Sequence, residues 1–411
     1  MMAKQWKWTN AISTRASLEA AVKEVVEQAH CGLDAPADLA LVFISSAFAS
    51  EYSRLMPLLR EQLKAKAIIG CSGGGITGTN PGEATEEVEG EPALSLTVAQ
   101  LPGVNIQTFH ISGPELPDLD GPPDPWIQML QVNPSDKPQF ILLADPLSSP
   151  INDLLQGLDY AYPGLPKVGG LASTLGGSAS GLFCNYQLYR EGTVGVAISG
   201  NIVLETIVAQ GCRPIGETYR ISDGERNIVI GLEEPNQPLG TSRPPLEVLR
   251  ALIQTLDEKD RQLAQNSLFV GIARDEFKQT LNQGDFLIRQ LLGVDPKAGA
   301  IAIGDRVRAG QRIQFHLRDA TTSAEDLEML LQRYQDETDS SKAPVGALMF
   351  SCLGRGEGLY GEANFDSALF RKYVGNIPLS GFFCNGEIGP VGGTTFLHGY
   401  TSVFAICRQP S

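Results

Sequence analysis

"LVFISSAFASEYSRLMPLLREQLKAKAIIGCSGGG", residues 41–75, indicates the fold class of this chain of 411 residues. An apolar strand begins at Leu41, a loop of small residues and a helical stretch follow, and a second apolar strand ends at Gly70. A helix in this position can return the chain to a parallel neighbouring strand in a right-handed crossover. The stretch therefore predicts a strand-loop-helix-strand unit of an α/β protein.

The same order of elements recurs in residues 140–169 and 347–381. The first two copies share an interval of 29 residues (70 minus 41, and 169 minus 140), and the third has a longer Gly-rich loop. Recurrence of one supersecondary unit within a chain is the sequence signature of related structural repeats. We therefore predict an α/β fold (mixed α+β) with mixed sheets, built from related units, with helices on the outer faces of the sheets.

A chain of this length is too long for one typical core. The segment "GLEEPNQPLGTSRPPLEVL", residues 231–249, contains four prolines and two glycines and interrupts the regular pattern. It predicts two domains, residues 1–235 and 245–411. Apolar residues at helical spacing predict helices over residues 17–29 and 323–335.

Composition excludes several classes of function. The net charge of -15 opposes binding to nucleic acid and to anionic membranes. The chain has no apolar run of the roughly 20 residues that a spanning helix needs, and its start lacks a secretory signal, so we expect a cytoplasmic protein without membrane insertion. The seven cysteines have no CxxC spacing, which predicts reduced thiols, no metal site and no cofactor.

Four Gly-rich segments follow or end the predicted strands. They are "GCSGGGITG" (70–78), "VGGLASTLGGSASG" (168–181), "SCLGRGEGLYGE" (351–362) and "GFFCNGEIGP" (381–390). Glycine lets a ligand approach the backbone closely, and the carboxyl ends of parallel strands gather at one edge of a sheet. Each segment alone is equally consistent with a plain turn. Their positions at equivalent ends of the repeated units favour a shared ligand site.

Charged and amide side chains in these segments suggest what such a site would bind. Arg355, between two glycines, would hold a carboxylate or phosphate in two hydrogen bonds, or form a structural salt bridge with Glu357 or Glu362. Glu387 would accept hydrogen bonds from a ligand ammonium group or from its own loop. Asn385 is either a turn former or a ligand-reading amide. Together, Arg355 and Glu387 would suit a zwitterion such as an amino acid.

Small residues and thiols complete the candidate site. The other predicted ligand-binding residues are Gly354, Gly386, Cys71, Ser72 and Gly73. Cys352 and Cys71, at strand ends beside glycines, are the candidates for a catalytic nucleophile, with His398 as the histidine close to these segments. The alternative for both thiols is that they are buried and inert.

Several of these motifs together resemble the FIST family, named for F-box and intracellular signal transduction proteins. They are "IIGCSGGGITG" (68–78), "KVGGLAS" (167–173), "LMFSCLGRG" (348–356), "PLSGFFCNGEIGP" (378–390) and "LHGYTSVFAI" (397–406). The resemblance covers the family's N-terminal and C-terminal regions, without an F-box or kinase segment. It implies a cytoplasmic sensory module that binds small ligands, with amino acids as the usual suggestion.

Three functions are consistent with these observations. The first is a small-ligand sensor that binds an amino acid or similar small carboxylate in a cleft lined by the Gly-rich segments and signals to a separate partner protein. The second is a protein-interaction scaffold, in which the Gly-rich segments only turn the chain. The third is an enzyme that uses a cysteine nucleophile.

Overall fold

A computed structural model describes residues 6–30, 33, 35–177, 179–235, 240–276, 278–281, 284–338 and 343–410. The chain forms two compact units. Unit 1 comprises residues 1–209 together with 328–411, and unit 2 comprises residues 210–327. The division into domains 1–235 and 245–411 stays a prediction.

The strands in the described residues are β1 Lys7–Ser13, β2 Ala37–Ser45, β3 Ala65–Gly73, β4 Gly75–Thr79, β5 Thr85–Glu89, β6 Leu94–Gln100, β7 Val104–Ile111, β8 Gln139–Ala144, β9 Lys167–Leu171, β10 Leu182–Cys184, β11 Gln187–Tyr189, β12 Thr193–Gly200, β13 Val203–Ala209, β14 Arg213–Glu225, β15 Ile228–Glu233, β16 Ser242–Arg243, β17 Leu268–Ala273, β18 Phe286–Asp295, β19 Ala300–Ile303, β20 Arg312–Leu317, β21 Gly346–Cys352, β22 Leu379–Cys384, β23 Glu387–Val391, β24 Thr394–His398 and β25 Ser402–Arg408.

The α-helices in the same residues are α1 Leu18–His30, α2 Tyr52–Gln62, α3 Asp124–Leu130, α4 Ile151–Ala161, α5 Pro245–Thr255, α6 Glu258–Ala264, α7 Ala320–Glu337, α8 Glu357–Tyr360 and α9 Phe365–Val374. Short 3-10 helices span Ser46–Glu51, Gly113–Glu115 and Pro134–Asp136. The two helices predicted from apolar spacing, over residues 17–29 and 323–335, are confirmed as α1 and α7.

All three predicted strand-loop-helix-strand units are present in unit 1, and each ends in a parallel strand pair. The pairs are β2 with β3, β8 with β9, and β21 with β22. The connecting helices are α2, α4 and, in the third unit, α8 followed by α9. We call these units repeats 1, 2 and 3. Each pair lies in a different mixed sheet of six strands, which confirms the predicted mixed α/β architecture.

The three sheets of unit 1 exchange strands in a cycle. The strand that follows each parallel pair joins the sheet of another repeat: β4, after repeat 1, pairs with β22; β10, after repeat 2, pairs with β3; and β23, after repeat 3, pairs with β9. Every repeat therefore both donates a strand and receives one. This cycle brings the carboxyl ends of the three parallel pairs to a common edge.

One glycine in each repeat allows the close approach of the two parallel strands. The glycines and the residues opposite them are Gly70 with Val42, Gly169 with Leu142, and Gly381 with Met349. A Cβ at these glycines would lie 2.0, 1.8 and 1.7 Å, respectively, from the carbonyl oxygen of the opposite residue. Real Cβ atoms do not occupy such positions, so any other residue would push the strands apart.

Apolar side chains fill the space between the three sheets. They also fill the space between the outer helices and the sheets of repeats 1 and 2. Phe43, Phe350 and Phe382 belong to a central cluster formed by the inner faces of the sheets. Phe43 and Phe382 stack with ring centroids 5.2 Å apart. A second cluster packs α1 and α2 on the outer face of the repeat 1 sheet, and a third packs α3 and α4 on the repeat 2 sheet. The helices thus lie on the outer faces, as predicted.

Unit 2 is built differently from the three repeats. Its strands follow the order β14-β20-β17-β18-β19-β15, and a further pairing of β14 with β15 closes them into a six-stranded antiparallel barrel. Ile313, Phe315 and Leu317 of β20 pack in one apolar cluster with Val248 and Leu252 of α5. Closure removes the exposed edges of the sheet. The closure of this barrel was not predicted from the sequence.

Two segments predicted as loops are strands. Residues 70–78 lie almost wholly in β3 and β4, and residues 381–390 lie in β22 and β23 with two residues between them. The glycines serve close packing between strands, because a Cβ on Gly73 would lie 2.8 Å from the Cβ of Phe382. Within the described part of the chain, no helix is long and apolar enough to cross a membrane.

The glycine of repeat 3 gives a direct test of this packing. We expect Gly381→Ala to lower the free energy of unfolding by about 3 kcal/mol, because its Cβ would overlap the backbone of β21. Gly399→Ala is the control, since a Cβ there would meet nothing within 4 Å. Urea denaturation of both variants measures the difference. Equal stability of the two variants would contradict the proposed role of Gly381.

Candidate functional site

The carboxyl ends of the parallel strands meet around the hydroxyl group of Ser173, two residues after β9. Ser173 Oγ accepts a hydrogen bond from the Gly74 N–H at 2.8 Å and donates one to the carbonyl oxygen of Phe383. The Ser173 N–H donates to the carbonyl oxygen of Ser72 at 3.1 Å. One buried side chain thus joins the strand ends of all three repeats. We call the surface formed by these strand ends the shared edge.

Cys71, Ser72 and Gly73 are the last three residues of β3 and are buried beneath the shared edge. Ser72 Oγ accepts from the Gly181 N–H at 3.1 Å, so its side chain fastens the segment that follows β9. Cys71 lies opposite Leu182 of β10 and packs in the central apolar cluster. These residues support the shared edge from within.

Gly354, Asn385 and Gly386 lie on the shared edge itself. Gly354 and Asn385 are exposed, whereas Gly386 is buried. The backbone around Asn385 is held in place, since its N–H donates to the Leu171 carbonyl oxygen at 3.1 Å and the Leu171 N–H donates to the Gly386 carbonyl oxygen at 2.8 Å. The Asn385 side chain is thus the accessible amide among the predicted site residues.

Three thiols gather near this edge, and two of them are fully buried. Cys352 and Cys384 lie opposite each other in β21 and β22, and Cys352 is half-buried. Burial raises the pKa of Cys71 well above its usual value. Burial, and then the charges of Glu387, Cys71 and Cys352, raise the pKa of Cys384 in the same way. These shifts disfavour a thiolate nucleophile at Cys71 or Cys384.

Glu387 is a fully buried carboxyl group at the start of β23. Its Oε2 accepts from the Thr401 N–H at 3.0 Å, and the residue lies opposite Gly170 of β9. At the equivalent place in the other two sheets stand apolar residues of the central cluster, Leu182 and Ile76. A carboxylate in this position is therefore a departure of one repeat from the pattern of the others.

Arg355 is buried and holds a carboxylate of the protein itself. Its Nε and Nη2 donate to the two oxygens of Asp366 at 2.8 and 2.9 Å, and Nη2 also donates to the hydroxyl of Tyr360. Burial raises the pKa of Asp366, but Arg355 and hydrogen bonds from Tyr360 and Ser351 lower it more, so its pKa lies below the usual value. The pair is thus ionised at neutral pH.

Of the two roles open to Arg355, the structural salt bridge is present, but Glu357 and Glu362 were the wrong partners. The partner is Asp366, eleven residues further along the chain at the start of α9. The path of the chain between residues 356 and 365 turns the helix start toward Arg355, and spacing along the sequence does not reveal that turn. Arg355 thus forms with the carboxylate of Asp366 the two hydrogen bonds that were proposed for a ligand carboxylate.

Sequence reasoning missed two residues that organise the shared edge. Ser173 gave no signal beyond its place in a Gly-rich segment. Asp145 follows β8 and accepts from the Leu147 and Ser148 N–H groups at 3.1 and 2.8 Å and from the Ser180 hydroxyl. The signal available was its position directly after a buried strand, where a carboxylate commonly forms a turn of this kind.

The chain matches two family models that together span most of its length. Residues 38–234 match the FIST N domain, and residues 245–390 match the FIST C domain. The chain belongs to the FIST family. Among the described residues, no group of three or more His, Cys, Asp or Glu side chains could hold a metal ion.

Relatives of this FIST protein include proteins from bacteria, plants and animals. It is 34% identical to an uncharacterised protein of Mycobacterium tuberculosis, with 90% of each chain covered. It is 24% identical to an F-box/LRR-repeat protein of Arabidopsis thaliana, covering 78% of this chain and 68% of that protein. F-box only protein 22 of Homo sapiens is 35% identical over 85 residues, 20% of this chain and 21% of that protein.

The Arg355 pair predicts a large effect on stability. We expect Arg355→Met to lower the free energy of unfolding by about 4 kcal/mol, because it leaves the buried carboxylate of Asp366 without its countercharge. Lys23→Met is the control, since Lys23 and its partner Glu27 are exposed and such pairs contribute little. Urea denaturation of both variants gives the comparison. A loss of stability no larger than that of the control would contradict a structural role for Arg355.

The thiols predict an order of chemical reactivity in the folded protein. We expect iodoacetamide near neutral pH to alkylate Cys352 well before Cys71 and Cys384, which are buried and have raised pKa values. Peptide mass spectrometry after a short exposure measures the order, and the urea-unfolded chain, in which all thiols react, is the control. Rapid alkylation of native Cys71 would revive the enzyme hypothesis.

Proposed function

We propose that this FIST protein senses a small ligand, an amino acid or a similar small carboxylate, at the shared edge and passes its state to a separate partner protein. FIST domains are associated with signal transduction and small-ligand sensing. The observation that carries the proposal is the meeting of the strand ends of three repeats at Ser173. In α/β proteins, ligands bind outside the carboxyl ends of the strands.

The residues of the shared edge suit a small polar ligand. Gly354 and Asn385 are exposed at the ends of neighbouring strands, where glycine admits close approach and the amide both donates and accepts. Arg355, next to Gly354, and Glu387, two residues after Asn385, are buried groups of opposite charge. In this proposal Arg355 positions the turn that presents Gly354, and Cys71, Ser72, Gly73 and Gly386 shape the floor of the site.

Signalling requires that the ligand bind one conformation better than another. Ser173 connects β3, β9 and β22, so a ligand that draws these strand ends together would change all three repeats at once. The loop after β8 carries Leu147, whose side chain is 95% exposed, and the loop after β9 carries Leu175, which is 47% exposed. Such apolar side chains are suited to contact a partner protein.

The same exposed leucines favour the scaffold as the second candidate function. A scaffold would bind its partner through Leu147 and Leu175 whether or not a ligand is present. The two functions therefore differ in ligand dependence. An Asn385→Ala variant would weaken partner binding only if the ligand controls it.

A thermal-shift screen of the full chain against amino acids and small carboxylates tests the proposal. A ligand at 100 times its Kd stabilises the folded state by about 2.7 kcal/mol, a readily measured rise in Tm. We expect Asn385→Ala to abolish the shift produced by any true ligand of the shared edge.

Asn105→Ala is the matched control, because Asn105 is an exposed amide on β7 outside the shared edge. It should leave the ligand-induced shift unchanged. The proposal fails if no compound shifts the Tm, or if Asn385→Ala retains the full shift.

A further inference from the structure

The layer between α9 and the sheet of repeat 3 differs in chemistry from its counterparts in repeats 1 and 2. In repeats 1 and 2, apolar clusters fill the space between helices and sheet. In repeat 3, buried polar side chains lie between the sheet and α8 and α9, beside apolar residues such as Met349 and Phe404. We call these polar side chains the polar layer: Ser351, Thr77, Glu87, Ser402, Arg355 and Asp366.

The register of the paired strands allows the three repeats to be compared residue by residue. Residues directly opposite each other on neighbouring strands share a face of the sheet, so three equivalent positions can be read outward from each repeat's first strand. In the row of the close-packed glycine of each repeat they are Val42, Phe183 and Leu188 in repeat 1; Leu142, Ile388 and Leu397 in repeat 2; and Met349, Thr77 and Glu87 in repeat 3. Two residues further along the first strand, on the same face, lie Ile44, Ala144 and Ser351. The third repeat places hydroxyls and a carboxyl group where the other two have apolar side chains.

Some oxygen atoms of the polar layer have no hydrogen-bond partner among the described residues. They are Glu87 Oε2, Thr77 Oγ1 and Ser402 Oγ. Glu87 is only 6% exposed, and its other oxygen, Oε1, accepts from the Ser367 N–H at 2.7 Å. Thr77 lies directly opposite Glu87 across β4 and β5. Buried polar groups without partners are costly, and departures from local rules concentrate at functional sites.

The charges of the polar layer do not balance. The carboxylates of Glu87 and Asp366 face one guanidinium, that of Arg355, which is already bound by Asp366. With both carboxyl groups ionised the layer carries one net negative charge. A proton on Glu87 would remove this charge. Above the pKa of Glu87, a monocation with several hydrogen-bond donors would satisfy both the charge and the open acceptors. A primary ammonium group, with three N–H donors, has this chemistry.

We propose that the polar layer beside α9 is a binding site for the primary ammonium group of a small molecule, with Glu87 Oε2 and Thr77 Oγ1 as its acceptors. This site is separate from the shared edge and does not depend on the function proposed there. The bound ammonium neutralises Glu87 and gives the two unpartnered oxygens a donor.

A surface pocket of about 430 Å³ lies beside the polar layer. Thr85, two residues before Glu87 on β5, and Ser367, whose N–H binds Glu87, line this pocket. Arg371 and Lys372 of α9 also line it, and Lys372 is paired with Glu328 at 2.6 Å. Arg371 can therefore receive an anionic group at the other end of the ligand. The pocket suits a ligand with an ammonium group inside and a carboxylate at the entrance.

The charged groups around Glu87 determine how binding depends on pH. Burial, and then the charge of Asp366, raise the pKa of Glu87 to about 7, and Glu89 on the same strand contributes in the same direction. Arg355 and Tyr360 bind Asp366, while the Glu357 N–H of α8 donates to Glu89 at 2.9 Å. Only ionised Glu87 attracts the ammonium group. Affinity should therefore fall about tenfold for each pH unit below the pKa of Glu87.

Isothermal titration calorimetry of the full chain with 4-aminobutyrate tests this proposal. We expect binding at pH 8 and weaker binding at pH 6. Butyrate, which lacks the ammonium group, and the N-trimethyl derivative, which keeps the charge but has no N–H donors, should not bind. The proposal is overturned if the wild-type protein binds 4-aminobutyrate no more tightly than it binds these two analogues.

Glu87→Gln and Glu86→Gln are the matched variants, because Glu86 is exposed on the opposite face of β5. We expect Glu87→Gln to weaken binding at least tenfold and to abolish its pH dependence, and Glu86→Gln to change neither. Glu87→Gln should fold, since the amide oxygen can still accept from Ser367. Retained binding in Glu87→Gln refutes the site. Loss of binding in Asn385→Ala instead would assign the ligand to the shared edge.

Thr77→Val separates the second acceptor from the first. Valine keeps the shape of threonine and removes Oγ1, so we expect several-fold weaker binding with the pH dependence retained. Unchanged affinity in this variant would remove Thr77 from the proposed site.

Discussion

The contact between a glycine and the carbonyl oxygen of the neighbouring parallel strand recurs in each repeat of unit 1. At Gly70, Gly169 and Gly381 the missing Cβ is what allows two strands to lie side by side. The strand that follows each pair then crosses to another sheet, and the three crossings form a cycle. Because each repeat completes its sheet with a strand from another repeat, no repeat can form its full sheet alone. The core between the sheets depends on this cooperation.

The cycle also explains where a ligand can bind. Strands that leave one sheet and enter the next must pass through the edge at which the parallel pairs end. At that edge the backbone groups of three repeats need partners, and the hydroxyl of Ser173 accepts a hydrogen bond from the Gly74 N–H and donates one to the carbonyl oxygen of Phe383. A buried polar contact of this kind fixes the spacing of the strand ends. Exposed positions such as Gly354 and Asn385 are thus held on a rigid base.

Much of the fold could be predicted from the sequence, because the periodicity of apolar residues in residues 41–70, 140–169 and 347–381 reports strands and helices directly. The cyclic pairing could not, since β4, β10 and β23 are short and find partners far away in the chain. Glycine was misinterpreted for a physical reason: it permits tight strand contacts as well as loops. The partner of Arg355 was missed because a turn, and not spacing, brings Asp366 to it. The residues of the ligand site stay predictions.

Buried charge occurs in repeat 2 as well, where Lys167 of β9 pairs with Asp159 of α4 at 2.7 Å. The polar layer beside α9 differs in that one oxygen of its buried Glu87 has no partner among the described residues. Replacing apolar side chains by Ser351, Thr77 and Glu87 weakens the packing of α9 on its sheet, and the remaining apolar contact there includes Phe370 stacked on Phe404 at 4.9 Å. A helix held partly by a charge network responds to changes in that charge, whereas α2 is held by apolar packing. Neutralising Glu87, by a proton or by a bound cation, would strengthen the attachment of α9. Since α8 and α9 follow directly from the turn that presents Gly354, a change in the polar layer has a short structural route to the shared edge.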